Sequence, residues 1–257
     1  MFDKQVYIDR RNELKKNFKG GVLLFPGNDE APMNYPGNQY RFRQDSSFLY
    51  YFGIDIPDMF GIIDLDDNKE YLFGYEFKVE DTVWMGSQTK LVDLASLAGV
   101  EFSDHIDNLQ KFIKLKKRKQ SKIHFLPPYR GDQVLKLTKL LDENPFRLKA
   151  KSSKKLIEAV VAQRSVKAEE EIAEIEYAME IAYQMHTTAM RMAKPGVVER
   201  DIAGAIEGIS LSLGNGVSFF PIVSKNGQTL HNHYHGNILK EGDLLVCDVG
   251  AESLLHY

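Results

Sequence analysis

The clearest chemical feature of the sequence is an apolar run that ends in a carboxylate. In GDLLVCDVG, residues 242–250, the run leads to Asp248, and Gly250 allows the backbone to turn closely behind it. An aspartate at a strand end can hold a hard cation, which prefers carboxylate oxygen. An aspartate that merely opens a turn is the competing reading. The segment HNHYHG, residues 231–236, places histidines at alternate positions. On a strand His231, His233 and His235 would share one face, and a His-x-His pair there could grip zinc or a similar ion. A polar strand edge, with one histidine hydrogen-bonded to a neighbour, accounts for the same pattern. His105, His124, His186 and His256 are isolated and read as structural. Cys247 lies inside the apolar run and reads as a small buried hydrophobe, since a catalytic thiol needs an electropositive, partly exposed setting. No Gly-x-Ser-x-Gly elbow or phosphate-cradling glycine loop occurs, which argues against serine hydrolases and nucleotide-binding proteins.

The elements that must position these residues follow from periodicity and breakers. A charged helix is predicted over 6–18 and a buried strand over 21–25. Aromatic and apolar runs predict strands at 48–52, 60–64 and 70–73. Helices are predicted over 109–115 and 131–141, with a strand at 122–126 between them. Alternating strands and helices give an α/β domain. The basic run at 114–122 reads as a solvated helix end, since no aromatic residues interleave it for base stacking. A composition shift near 144–155 separates this domain from a long helix over 167–193 and a second over 199–213. In the long helix apolar residues recur every three to four positions, which is core packing. Strands are predicted at 219–224, 230–235 and 243–248, with Asn226-Gly227 as a hairpin signal. The residues from Leu254 to Tyr257 read as the start of another strand, an unusual place for a domain to end.

Composition sets outer limits. The 257 residues are 43% hydrophobic and 27% charged, as expected of a globular protein of one or two domains. A net charge of -3 gives no field to recruit nucleic acid or anionic lipid. The single cysteine allows no intrachain disulfide and fits a reducing compartment. No secretory signal or membrane-length apolar stretch is seen, so the expectation is a cytoplasmic protein.

Several segments, in order, resemble the aminopeptidase P (Xaa-Pro aminopeptidase) family. YRFRQDSSFLYYFGI at 40–54 and DTVWMG at 81–86 resemble its N-terminal domain. QRSVKAEEEIAEIEYA at 163–178 resembles the entry to its catalytic domain, and PGVVERDIAGAIE at 195–207 its second helix. NGQTLHNHYHGNILKEGDLLVCDVGA at 226–251 resembles the strands that bring in the first metal ligand.

The resemblance implies an α/β N-terminal domain of the creatinase/aminopeptidase P type over 1–153, then the first part of an α+β pita-bread metallopeptidase domain over 154–257, incomplete at Tyr257. It implies two divalent metal ions, manganese, held in the full-length enzyme by two aspartates, a histidine and two glutamates. A water bridging the metals attacks the peptide bond before proline. Asp248 matches the first aspartate; the other ligands are expected beyond Tyr257. His231 matches a histidine that binds substrate or stabilises the intermediate, and Trp84 one that reaches a neighbouring subunit's site. His233 and His235 match no ligand of the family. The implied partners are a peptide with proline in second position and further copies of the chain, as a homo-dimer or homo-tetramer, with neither nucleic acid nor membrane. With one ligand, residues 1–257 alone are expected to hold no metal pair and to be inactive, and the first domain to be the better folded. Alternatives are a prolidase acting on Xaa-Pro dipeptides, a non-catalytic pita-bread module that binds protein, and a zinc site at the three histidines.

Overall fold

The computed structural model describes residues 1–77 and 79–257, with Glu80 by its backbone alone. The chain divides into two units, Met1–Val166 and Lys167–Tyr257. In chain order the first unit contains α1 (Lys4–Lys15), β1 (Val22–Pro26), β2 (Pro32–Tyr35), β3 (Asn38–Gln39), α2 (Ser46–Phe52), β4 (Phe60–Asp64) and β5 (Lys69–Gly74). There follow α3 (Val79–Met85), α4 (Leu91–Leu97), β6 (Phe102–His105), α5 (Ile106–Arg118), β7 (Ile123–Phe125), α6 (Gly131–Leu141), α7 (Leu148–Lys151) and α8 (Lys154–Ser165).

A mixed sheet in the order β6-β5-β4-β1-β7 forms the middle layer. The pairs β1/β4 and β4/β5 are antiparallel; β5/β6 and β1/β7 are parallel. Every residue of β1 is buried, because both faces of the sheet are covered. Leu23 and Phe25 point into a core with Leu14, Phe48, Phe52, Leu91 and Leu156. Val22 and Leu24 point into the opposite core with Leu109, Ile113, Leu137 and Leu148. Helix α8 adds Leu156, Ala159 and Val160 to the first of these cores. The division after Val166 therefore falls one helix later than the composition shift near Ser153.

Residues 48–52, expected as a strand, lie instead in helix α2. The Asp45 carboxylate accepts from the backbone N–H groups of Ser47 and Phe48, both at 2.9 Å, which satisfies donors of the first turn. Gly53 closes the helix in the left-handed conformation, φ 68°, and a Cβ there would lie 2.2 Å from the Tyr7 ring. Arg10 and Arg11 of α1 complete the cap by donating to the carbonyls of Tyr50 and Tyr51. Arg11, fully buried, also donates to Glu70 at 2.7 Å and to the Gly99 carbonyl at 2.8 Å. Burial lowers the guanidinium's pKa, and Glu70 opposes that shift.

The basic run is not wholly solvated either. Lys116 of α5 is 2% exposed and forms ion pairs with Asp64 and Asp67. Burial opposes its charge, but hydrogen bonds and attraction from the two aspartates outweigh it and raise the ammonium's pKa.

His124, on β7, is buried, with Nδ1 2.7 Å from the Ser153 hydroxyl that caps α8. Burial, then Lys122 and Lys155, lower its pKa below 6.5. The unfolded chain therefore binds this proton more readily, so the stabilisation is complete above about pH 6.5 and is lost as pH falls below it. Denaturation of wild type and His124→Gln at pH 7.5 and 5.5 checks this. The wild type should lose more stability on acidification, and equal losses would contradict it.

The second unit contains α9 (Glu169–Met192), α10 (Glu199–Leu213), β8 (Ile222–Ser224) and β9 (Val246–Asp248). The helices pack through Ile181, Met185, Ala189, Ile202 and Ile206 onto Val223 and Val249. Strand β8 pairs with β9, antiparallel, and not with residues 230–235. The Asn226-Gly227 turn starts a long loop, with Thr229 N–H donating to the Asn226 carbonyl. Residues 230–235 form a turn and irregular chain, and 254–257 form a turn closed by Ser253 and Tyr257, not the strands expected there.

Candidate functional site

The register Ile222↔Asp248, Val223↔Cys247 and Ser224↔Val246 fixes which way β9 presents its residues. Cys247 packs with Val223 against the helices, while Asp248 and Val246 alternate to exposed positions. Gly250 is needed directly behind, because a Cβ there would lie 2.6 Å from the Ser218 hydroxyl. Burial, then Asp248, raise the Cys247 pKa, so the thiol stays protonated and packs as a hydrophobe.

The histidine segment hangs from the same sheet. Ser224, fully buried at the end of β8, accepts through its hydroxyl from Asn226 N–H and, at 3.0 Å, from Asn232 Nδ2. This holds His231 at an exposed turn beside β8, the partner of the strand that carries Asp248. Further on, Arg200 N–H donates to the His235 carbonyl and Glu199 N–H to the Asn237 carbonyl.

The main anchor is Glu199, which sequence reasoning passed over. Its carboxylate, 0% exposed in the first turn of α10, accepts from Lys225 N–H at 2.8 Å and Asn237 N–H at 3.1 Å, and from Asn237 Nδ2 at 3.1 and 2.9 Å. Both ends of the loop are thus tied to one buried group. An acidic residue in the first turn of a helix was the available signal.

The three histidines do not share a strand face. His231 sits in the turn, and His233 meets the Phe220 ring edge-on, with centroids 4.9 Å apart. His235 stacks near the same ring at 6.4 Å. The zinc reading therefore fails: among the described residues, no group of three or more His, Cys, Asp or Glu is arranged to hold a metal ion. Asp248 stands as one exposed carboxylate, so the residues present do not fit a complete two-metal centre. Trp84 lies in the other unit, on α3, and is 91% exposed beside the exposed Val83.

The chain combines a three-layer α/β unit with a second unit in which a helix pair packs on a small sheet. Residues 7–124 match the family "Aminopeptidase P, N-terminal domain", and residues 173–257 match "Metallopeptidase family M24". The chain thus carries a region that matches the aminopeptidase P N-terminal domain, followed by a region that matches part of an M24 metallopeptidase domain. It is 27% identical to a Chaetomium globosum protein named "Probable Xaa-Pro aminopeptidase", over 90% of this chain and 38% of that one. It is 23% identical to the "Xaa-Pro dipeptidase" of Pongo abelii, over 91% of this chain and 48% of that one. The chain spans less than half the length of these curated relatives. Its fold matches proline aminopeptidase P II from Yersinia pestis, with TM-score 0.82 and 24% identity, over 96% of this chain and 59% of that structure. Aminopeptidase P from E. coli matches equally, at 0.82 and 22%. Among the described residues no helix is long and apolar enough to cross a membrane.

Proposed function

We propose that the protein serves the release of an N-terminal residue from peptides with proline in second position. The observation that carries this reading is an exposed Asp248 at the end of β9, on the same small sheet from which the anchored His231 turn hangs, inside the segment that matches the M24 family. Relatives named as Xaa-Pro aminopeptidases support the substrate class. In this reading Asp248 is a metal ligand, His231 lies beside the substrate, and the exposed Trp84 reaches a neighbouring copy in a homo-dimer or homo-tetramer. The metal is manganese and the compartment cytoplasmic.

Prolidase action on Xaa-Pro dipeptides is the second reading, favoured by relatives named Xaa-Pro dipeptidase that match over the same share of the chain.

The chemistry needs more ligands than these residues assemble. A hard cation takes about six oxygens, and Asp248 offers two. Residues 1–257 by themselves are therefore expected to be inactive. The test is equilibrium dialysis of the 257-residue protein against Mn2+, with an assay on Ala-Pro-Ala. Neither stoichiometric metal nor released alanine is expected of residues 1–257 alone; either one would contradict their expected inactivity.

A further inference from the structure

We propose that the first unit carries a binding site for a free aliphatic α-amino acid, in a cavity the peptidase reading does not use. The cavity, of about 290 Å³, opens at the carboxyl ends of the parallel strands β1 and β7. In open α/β sheets that edge is where ligands bind, and the size is at the lower end of small-molecule pockets.

Its lining has two parts. Phe25, Leu126, Ile157, Val160 and Val161 make an apolar wall. Opposite charges then stand side by side: Arg164 Nη1 donates to the Ser47 hydroxyl at 3.4 Å, and Ser47 N–H donates to the Asp45 carboxylate. An α-amino acid has the matching arrangement, with ammonium and carboxylate on one carbon and an apolar side chain beyond. Burial, then Asp45, raise the pKa of Tyr129, which keeps its hydroxyl protonated in the same lining.

A second observation points to a donor-bearing ligand. Gln133 lines the cavity and is 2% exposed. Asn28 Nδ2 donates to the Arg43 carbonyl, so Asn28 Oδ1 faces Gln133 and accepts from its Nε2 at 2.9 Å. That orientation leaves Gln133 Oε1 without a partner among the described residues. The cavity that Gln133 lines gives this acceptor access to a ligand, and an ammonium supplies the donor.

The test is calorimetric titration of the 257-residue protein with L-leucine in EDTA, which silences any metal-dependent binding. Two analogues keep the apolar body and lose one charge: 4-methylpentanoate and 3-methylbutylamine. Saturable binding of one leucine per chain is expected, with each analogue at least about 10-fold weaker, as loss of a charge-assisted hydrogen bond implies. Val161, 58% exposed at the mouth, tolerates substitution without disturbing the core. Val161→Trp should abolish binding and Val161→Ala keep it, while Arg164→Met should weaken it at least about 10-fold. No heat and no change in melting temperature with folded wild type would overturn the proposal. So would binding that survives Val161→Trp, or analogues that bind as tightly as leucine.

Discussion

Glu199→Ala should destabilise the second unit by about 3 kcal/mol, because a carboxylate hydrogen bond contributes roughly 1.5–3 kcal/mol and the carboxylate accepts from both Lys225 and Asn237, which are half-buried. In a unit of this size that is a fall of roughly 12–24 °C in melting temperature. The loss has a definite address. Lys225 and Asn237, at the two ends of the loop, lose a shared acceptor, and the His231 turn between them loses its fixed ends. Hydrogen exchange should therefore quicken at the amides of Lys225 and Asn237 first. Glu199→Gln should fall between wild type and Glu199→Ala, since it keeps the shape and one acceptor but sets an NH2 group against Asn237 Nδ2. A loss under about 1 kcal/mol for Glu199→Ala, within the range of ordinary surface changes, would mean that the carboxylate is dispensable.

The second large effect is expected in the first unit. Lys116→Met removes the ammonium that neutralises Asp64, a carboxylate 1% exposed at the end of β4. Leaving one member of a buried pair uncompensated costs about 3–5 kcal/mol. Asp67 is half exposed and can turn to water, so Asp64 carries most of the penalty. The double variant Lys116→Met with Asp64→Leu should recover most of the loss, since a buried pair replaced by apolar groups is close to neutral. Chemical denaturation of the three proteins measures this; a double variant no more stable than Lys116→Met would contradict it.

Residues that answer to a local rule could be read from sequence, and residues that answer to a distant partner could not. Helices α6 and α10 begin and end where periodicity and glycine placed them, and β4 spans the expected residues. The aromatic run at 48–52 misled because alternation and a short buried helix look alike over five residues. Its real signal was Asp45-Ser46-Ser47, a helix cap. The histidines of 231–235 alternate as a strand would, yet the segment is held by the Asn232 side chain on the Ser224 hydroxyl and by the His235 carbonyl, which accepts from Arg200 N–H in the first turn of α10, instead of by a neighbouring strand. Asn226-Gly227 makes a turn, but β8 finds its partner some twenty residues further on, at β9. Lys116 looked like one lysine among several, because its burial depends on Asp64 and Asp67 arriving from another hairpin. Glu199 was silent for the same reason: its partners lie 26 and 38 residues away.

Of the candidate site, Asp248 at the end of an apolar strand was legible from spacing. Its register against β8, which places the His231 turn on the same small sheet, came only with the fold. The Phe220 contact accounts for His233 without a metal, whereas the buried Nε2 of His235 has no hydrogen-bond partner among the described residues.

The central claim is that Asp248 belongs to the active centre of a proline-specific aminopeptidase. The most direct measurement is alanine release from Ala-Pro-Ala, with Mn2+, by a full-length enzyme that carries these residues, wild type beside Asp248→Asn. The account predicts hydrolysis by the wild type and at least about a 100-fold loss in the variant, roughly 2.7 kcal/mol of transition-state stabilisation. Hydrolysis that survives Asp248→Asn, or a native protein that binds the peptide without cleaving it, would contradict the claim.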